Sequence, residues 1–207
     1  MRRKKTGYIL LALLVITGLA GTISGSISGK ERRIALNLMK STKADVLLSL
    51  KGLSGKQLNF KAAPDKWSAK ECLYHIAVSE NTLWQWLETS LQSPANPEKR
   101  SEIKLTDEQV IEVMEDRSHK IKTNISLEPK NTPYKSFAQA LDDFKKKRAA
   151  HIEYIKSTTE DLRDHIVQTP FGWVDCYQLC LMIASHSNRH MNQINETKEE
   201  ASLSKIK

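Results

Sequence analysis

The feature that most constrains this chain is the spacing of its apolar residues, which recur every three or four positions along nearly all of residues 31–196. This period matches the 3.6 residues per turn of an α-helix and collects the apolar side chains on one face. Glycine and proline clusters divide the pattern into segments. The predicted fold is therefore all-α, a four-helix bundle with a crossover connection and a short extra helix. The segments span about residues 31–50, 68–91, 106–121, 136–155 and 175–196.

Polar residues that can cap a helix precede two of these segments. Ser68 can cap the second helix, and Glu71, three residues later, can reach back to complete a capping box. Asp175 can cap the last helix, and residues 169–173 before it predict a turn with a short extended piece.

The apolar stripe of the first helix comprises Ile34, Leu38, Val46, Leu50 and Leu53, and Thr42 fills the gap between Leu38 and Val46.

The first residues of the chain have the order of a targeting signal. Residues 1–5 are mostly basic, residues 8–20 are almost wholly apolar (YILLALLVITGLA), and small residues follow. This order is typical of a signal peptide, and an uncleaved membrane anchor is the alternative, since the apolar run is shorter than the roughly 20 residues of a full span. In both cases the basic start predicts that the rest of the chain is translocated.

Three parts are therefore expected: a signal peptide or membrane anchor at residues 1–28, a helical domain at 29–200 and a disordered tail at 201–207. The protein is expected to be exported, to the periplasm or the extracellular space, or to be tethered to the membrane by its first segment. Half of the net charge of +8 comes from the four basic residues of that segment. Without them the chain has 28 basic and 24 acidic residues, a net charge of +4. The sequence has no basic stripe interleaved with aromatic residues, so a nucleic-acid partner is not expected. A membrane partner is expected only through the first segment, and a homodimer is left open.

Two histidines interrupt the apolar stripe of the last helix. The stripe passes through Leu179 and Ile183 and would continue at positions 186 and 190, both of which are histidine. The two rings lie about 40° apart on the face that should be buried, and the i, i+4 spacing lets both reach one metal ion. Because each buried imidazole needs a hydrogen-bond partner or a metal, His186 and His190 are candidate metal ligands, with two structural histidines as the alternative.

Two motifs resemble the DinB-like (YfiT-like) family of metal-binding four-helix bundles. They are Trp67-Ser68-x-x-Glu71-x-x-x-His75 and His186-x-x-x-His190-x-x-Gln193, and the resemblance covers roughly residues 30–196. It implies that His75, His186 and His190 bind a divalent metal ion, commonly zinc, nickel, iron or manganese. From the residues alone, His75 lies at the edge of its stripe and could equally pack against Trp84 or face solvent.

The resemblance also implies two classes of function. Several members of the family are regarded as thiol S-transferases, which join a low-molecular-weight thiol to a small electrophile. Three imidazoles leave a coordination position open, which is the arrangement of a catalytic site. A metal-dependent thiol S-transferase or hydrolase is therefore one interpretation. A non-catalytic metal-binding or stress-related interaction bundle is the other.

Three further polar residues are candidates for the site. Glu80 could orient a ligand or act as a base, although a solvated glutamate is the commoner case. Arg148 could contact an anionic substrate or reach solvent from the end of the bundle. His151 could add a fourth ligand, which is the least favoured of these interpretations. His119 and His165 are expected on the surface.

Overall fold

Four long helices make up most of the chain. The computed structural model describes residues 26–118 and 121–204 of the 207. In chain order the helices are α1 (Gly29–Leu50), α2 (Gly55–Asn59), α3 (Ala69–Gln92), α4 (Asp107–Glu115), α5 (Phe137–Ser157) and α6 (Cys176–Leu203). Single 3₁₀ helices span Pro97–Glu102, Ile125–Leu127 and Pro129–Asn131, and strands β1 (Ile166–Thr169) and β2 (Gly172–Asp175) form an antiparallel hairpin. The predicted all-α bundle is confirmed, and α2 is an addition that the pattern did not predict.

The long helices form two parallel pairs. α1 packs beside α5 and α6, and α3 packs beside the same two helices. The start of α6 lies beside the start of α1, where the Tyr177 hydroxyl donates to the Glu31 carbonyl at 2.9 Å. The end of α5 lies at the same end of the bundle, where the Arg32 guanidinium donates to the Ile155 carbonyl at 2.5 Å. α1 and α6 therefore run in one direction and α5 in the other.

The connection between α3 and α5 is the predicted crossover. α3 ends near the hairpin, where the Asn96 amide donates to the Asp164 carbonyl at 2.8 Å, so α3 runs parallel to its neighbour α5. Two parallel neighbours cannot be joined by a tight turn, and residues 93–136 return along the bundle. Within this connection α4 packs against α6.

The predicted caps are present at both helices. The Ser68 hydroxyl accepts from the Glu71 amide at 3.2 Å and the Glu71 carboxylate accepts from the Ser68 amide at 2.9 Å, which completes the capping box. The Asp175 carboxylate accepts from the Gln178 amide at 2.8 Å. The turn before α6 is the tip of the hairpin, where Gly172 has a φ of +112° that favours glycine.

The buried face of α1 is shifted by one residue from the predicted apolar stripe at the start of the helix. Ile34 is 37% exposed, whereas Ala35 and Met39 are buried. Thr42, predicted only to fill a gap, is fully buried and belongs to a polar layer. α4 also ends earlier than predicted, at Glu115, because the backbone becomes extended at Asp116.

A buried polar layer divides the core of the bundle. One apolar cluster lies toward the start of α6, and a second lies toward the start of α3. Polar residues of all four long helices lie between the clusters: Thr42, Glu80, Arg148, His151 and Ser187. Side chains that normally need partners thus occupy the middle of the molecule.

Most of the predicted targeting segment lies outside the described residues. Its last residues are described: Ser26 forms a bridge with Asp161, Ile27 is buried in the core, and Ser28 caps α1. At the other end, α6 continues to Leu203, so it includes the start of the tail predicted to be disordered. Within the described ranges, no helix combines the length and the apolar character that crossing a membrane requires.

Candidate metal centre

Helices α3 and α6 bring the three predicted histidines together. His75 lies in the second turn of α3, and His186 and His190 lie on successive turns of α6. One ring nitrogen of each histidine lies within 4.8 Å of the others, and the Nε2 atoms of His75 and His186 are 3.1 Å apart. A tetrahedral zinc ion with Zn–N bonds of about 2.1 Å separates its nitrogen ligands by about 3.4 Å, so the cluster has the size of a metal site.

The centre is buried on two sides. His75 is 3% exposed and His190 is 7% exposed, whereas His186 is partly accessible. The indole ring of Trp67 stacks on His190 with ring centroids 5.7 Å apart and lies 4.9 Å from the His75 ring. The Trp67 ring therefore forms one wall, and access from solvent is on the His186 side.

Two of the histidines are oriented by hydrogen bonds outside the cluster. The His75 Nδ1–H donates to the Leu127 carbonyl at 2.8 Å, and the His190 Nδ1–H donates to the Gln193 side-chain oxygen at 3.0 Å. With Nδ1 protonated, each Nε2 keeps a lone pair directed at the centre. Such outer hydrogen bonds fix the tautomer and ring orientation of metal-binding histidines.

Burial disfavours the charged form of all three imidazoles. Burial lowers the pKa of His75, and the Leu127 carbonyl opposes this only in part. Burial and the neighbouring His75 hold the pKa of His186 well below its ordinary value. Burial, with His186 and His75 next, does the same to the pKa of His190. Neutral imidazoles are the form that binds metal, and nitrogen donors suit divalent zinc, iron or nickel.

The sequence assigned no role to the residues that orient these histidines. Leu127 acts through its backbone carbonyl on a 3₁₀ helix of the crossover, so its residue type carries no signal. Gln193 is part of the second motif, and its spacing of three from His190 places it on the next turn of α6. Ser79 approaches the centre as well, with its hydroxyl 3.5 Å from the His75 Nε2.

The other polar candidates form a separate buried network. The Arg148 guanidinium donates to both carboxylate oxygens of Glu80, at 2.7 Å and 2.5 Å, and the His151 Nδ1–H donates to one of them at 2.8 Å. The His151 ring stacks on Trp84, with centroids 3.7 Å apart. Burial alone would raise the pKa of Glu80, but Arg148 and His151 outweigh it and lower the pKa to about 2.

This network corrects several expectations. Glu80 is buried rather than solvated, and its carboxylate binds Arg148 and His151 rather than one of the three clustered histidines. Arg148 is 0% exposed and does not reach solvent or a substrate at the end of the bundle. His151 lies outside the three-histidine group, and Trp84 contacts it rather than His75. The reason is the ion pair, which joins residues 68 positions apart.

The remaining histidines lie away from the centre. His165, expected on the surface, is partly buried because its Nδ1–H donates to the Ser90 carbonyl at 2.9 Å. His119 lies outside the described residues.

Three comparisons with known proteins agree with this architecture. The sequence profile of the DinB superfamily matches residues 39–194. The uncharacterised protein YuaE of Bacillus subtilis (strain 168) is 27% identical over 167 residues, which cover 80% of this chain and 98% of YuaE. The structure of YfiT from Bacillus subtilis superposes with a TM-score of 0.58 at 13% identity and covers 86% of this chain and 91% of YfiT. YfiT is described as a probable metal-dependent hydrolase with an unusual four-helix bundle topology, and the likeness to it concerns the fold.

Proposed function

This chain belongs to the DinB superfamily, and from that premise we propose that it is a metal-dependent hydrolase whose divalent ion is bound by His75, His186 and His190. The convergence of three imidazoles from two helices carries this proposal. Two of them have their tautomers fixed from outside, and the third lies on the accessible side. A structural zinc site usually has four protein ligands, whereas three ligands with one accessible side match a catalytic site.

The residues of the chain and the ion have separate tasks. A divalent ion in this site would supply Lewis-acid activation of a water nucleophile near neutral pH. His75 and His190 hold fixed orientations, while the Trp67 ring excludes water from one side. Glu80 is held by Arg148 and His151, so it is not available as a base at the centre.

Metal analysis of the purified full-length chain tests the site. Wild type should contain about one divalent ion per chain, and His186→Ala should contain much less, because it loses one of three ligands. His165→Ala is the matched control, since it removes a partly buried histidine that lies outside the centre and should leave the metal content unchanged. Equal metal content in wild type and His186→Ala would exclude the site. The same analysis identifies the metal among zinc, nickel, iron and manganese.

Activity measurements separate the classes of function. Metal-loaded wild type is assayed with chromogenic esters and amides, and separately with a low-molecular-weight thiol and a small electrophile. Turnover of the esters or amides that disappears in His186→Ala supports a hydrolase. Turnover only in the presence of the thiol would favour the thiol S-transferase instead. Bound metal without turnover in either assay would favour the non-catalytic metal-binding bundle.

We also propose that the first segment of the chain exports the domain or tethers it to a membrane. The described structure supports a boundary before Ser26, because Ile27 packs in the core and Ser28 caps α1. N-terminal sequencing of the protein from its host tests this. A mature chain that begins at or shortly before Ser26 supports a cleaved signal, and an intact N-terminus in the membrane fraction supports an anchor. An intact N-terminus in the cytosol would contradict both.

A further inference from the structure

One guanidinium touches all four long helices of the bundle. Besides its bonds to Glu80 on α3, Arg148 on α5 donates through Nη1 to the Thr42 hydroxyl at 2.8 Å and to the Met39 carbonyl at 3.3 Å, both on α1. Through Nη2 it donates to the Ser187 hydroxyl on α6 at 2.7 Å. A guanidinium has five N–H donors in a rigid plane, so these bonds constrain the directions in which the helices lie around it.

The contact on α6 is made at the residue that follows a candidate ligand in the sequence. Ser187 follows His186 in the sequence, and Ser187 also donates to the Ile183 carbonyl one turn earlier at 3.2 Å. The Ile183 carbonyl is itself 3.4 Å from Arg148 Nη2. Successive residues of a helix are about 100° apart, so a bond at Ser187 fixes the rotation of α6 at the position where His186 leaves it.

The contact on α3 lies close to the remaining ligand. Glu80 is five residues after His75, which corresponds to a rise of about 7.5 Å along the helix. Arg148 therefore connects the two helices that carry the three histidines, at positions one residue after His186 on α6 and five residues after His75 on α3. His75 and His186 have Nε2 atoms only 3.1 Å apart, so a small rotation or slide of α6 against α3 would change the geometry offered to an ion.

A buried ion pair is weak evidence for stability. Apolar residues of similar volume often stabilise a core equally well, and the best-attested use of such a pair is to fix the register of packed elements. We propose that Arg148 is a positioning residue for the metal centre, because through Glu80 and Ser187 it holds α3 and α6 in the register that lets the three histidines share one ion. This inference rests on the proposed metal site.

The chain offers a matched pair of substitutions. Ser187 and Thr42 are both buried, both accept from Arg148, and both also donate to a carbonyl of their own helix. Ser187 lies on the helix that carries two of the histidines, whereas Thr42 lies on α1, which carries none of them. Ser187→Ala and Thr42→Val therefore each remove one hydroxyl contact of the same guanidinium, from a ligand-bearing helix and from a helix without ligands.

The test is a cobalt(II) and zinc titration of the full-length chain in mild detergent. Cobalt absorption in the visible range reports the coordination geometry, and competition with a chromophoric chelator gives the zinc affinity. Ser187→Ala should bind zinc about 10-fold more weakly and shift the cobalt bands, as substitutions just outside a metal site commonly do. Thr42→Val should stay within about twofold of wild type with an unchanged cobalt spectrum. Both should lower the urea unfolding midpoint by similar amounts.

The outcomes distinguish this inference from the function on which it rests. Wild-type affinity in Ser187→Ala, or equal losses of affinity in both variants, would overturn the positioning role while leaving the metal site intact. Absence of cobalt and zinc binding in wild type would overturn the metal site itself. As a second variant, Glu80→Leu/Arg148→Met replaces the ion pair by apolar side chains. If that variant is folded and keeps both wild-type affinity and the wild-type cobalt spectrum, the positioning role is excluded.

Discussion

Two buried polar regions share the same helices but differ in how their polar groups are paired. In the network, the Arg148 guanidinium meets the Glu80 carboxylate, the Thr42 and Ser187 hydroxyls and backbone carbonyls, so donors face acceptors. In the centre, the imidazoles of His75, His186 and His190 face one another. Buried polar groups need partners. The network finds them inside the chain, whereas the centre points its nitrogens at a space that suits a cation.

The ionisation of the two regions follows the same division. Glu80 stays charged because the Arg148 guanidinium and the hydrogen bonds from Arg148 and His151 outweigh its burial and lower its pKa to about 2. The centre has no such counter-charge among its own members, and burial lowers the pKa of each histidine. A region whose charges are matched internally stabilises one arrangement of the helices. A region of imidazole nitrogens without a counter-charge can bind a cation through their lone pairs.

The largest expected effect comes from breaking the pairing within the network. Glu80→Leu leaves the Arg148 charge buried without its carboxylate, and the free energy of unfolding should fall by about 3–5 kcal/mol. Urea unfolding of the metal-free protein, followed by circular dichroism, measures this. Glu80→Leu/Arg148→Met is the control and should regain most of the loss, because no unpaired charge remains. A loss below about 1 kcal/mol in the single variant would mean that the network is not matched as described.

Acid should affect the two regions in different ranges of pH. The folded pKa of Glu80 lies below its ordinary value of 4.5, so its contribution to stability is present above that value and is lost as the pH falls toward about 2. The full loss corresponds to about 3 kcal/mol. The histidines also have lowered folded pKa values, so below their ordinary pKa of 6.5 the unfolded chain gains protons that the buried rings do not. Their part of the acid loss therefore begins earlier.

Urea unfolding of metal-free protein across the acid range measures both parts. Below about pH 4.5 the curve for Glu80→Leu/Arg148→Met should be flatter than the wild-type curve, because the variant lacks the carboxyl that titrates. Between about pH 6.5 and 4.5 the stability of both proteins should fall as the pH falls, since both keep the three histidines. Parallel curves below pH 4.5 would show that Glu80 is not ionised in the folded protein.

A bound ion should stabilise the centre without being required for the fold. At a free zinc concentration about 100 times the Kd, the free energy of unfolding of wild type should rise by about 2.7 kcal/mol. A chelator should reverse the rise and leave a folded protein, because the apolar clusters and the network do not involve the ion. His190→Ala should gain nothing from zinc at the same concentration. Equal stabilisation of both proteins would place zinc elsewhere on the chain.

The smallest expected effect comes from a residue that orients a ligand. Gln193→Ala removes the acceptor for the His190 Nδ1–H, so the ring can adopt other orientations and the other tautomer. The zinc affinity should fall about 10-fold, with little change in the stability of the metal-free protein. Asn192→Ala, an exposed neighbour on the same helix, is the matched control and should bind zinc as wild type does. The same affinity in both variants would exclude a role for Gln193 at the centre.

Much of the fold could be predicted because it depends on local patterns. The capping box of Ser68 and Glu71 is complete within four residues of sequence, and the structure contains both of its hydrogen bonds. The histidines of α6 also stood out locally, since a 3.6-residue period places positions 186 and 190 on a face that should be apolar. His75 needed the family resemblance, because its own position at the edge of a stripe was ambiguous.

The rest of the site could not be predicted because it depends on pairing across the chain. Glu80 has the appearance of a solvated residue until Arg148, 68 positions later, is placed against it. The carbonyl of Leu127 orients His75 although no property of a leucine side chain indicates this.

The sequence by itself thus determined the helices, their caps and the two histidines of α6, since each depends on residues a few positions apart along one helix. Only the tertiary structure decided which buried polar residues face each other. Within one helix, a buried charged residue and a candidate metal ligand occupy the same kind of position on the inward face. They can be told apart only when the neighbouring helices are in place, because a counter-charge then faces the charged residue and none faces the ligand. On that basis Glu80 and Arg148 form an ion pair inside the bundle, and the three histidines form the candidate metal site.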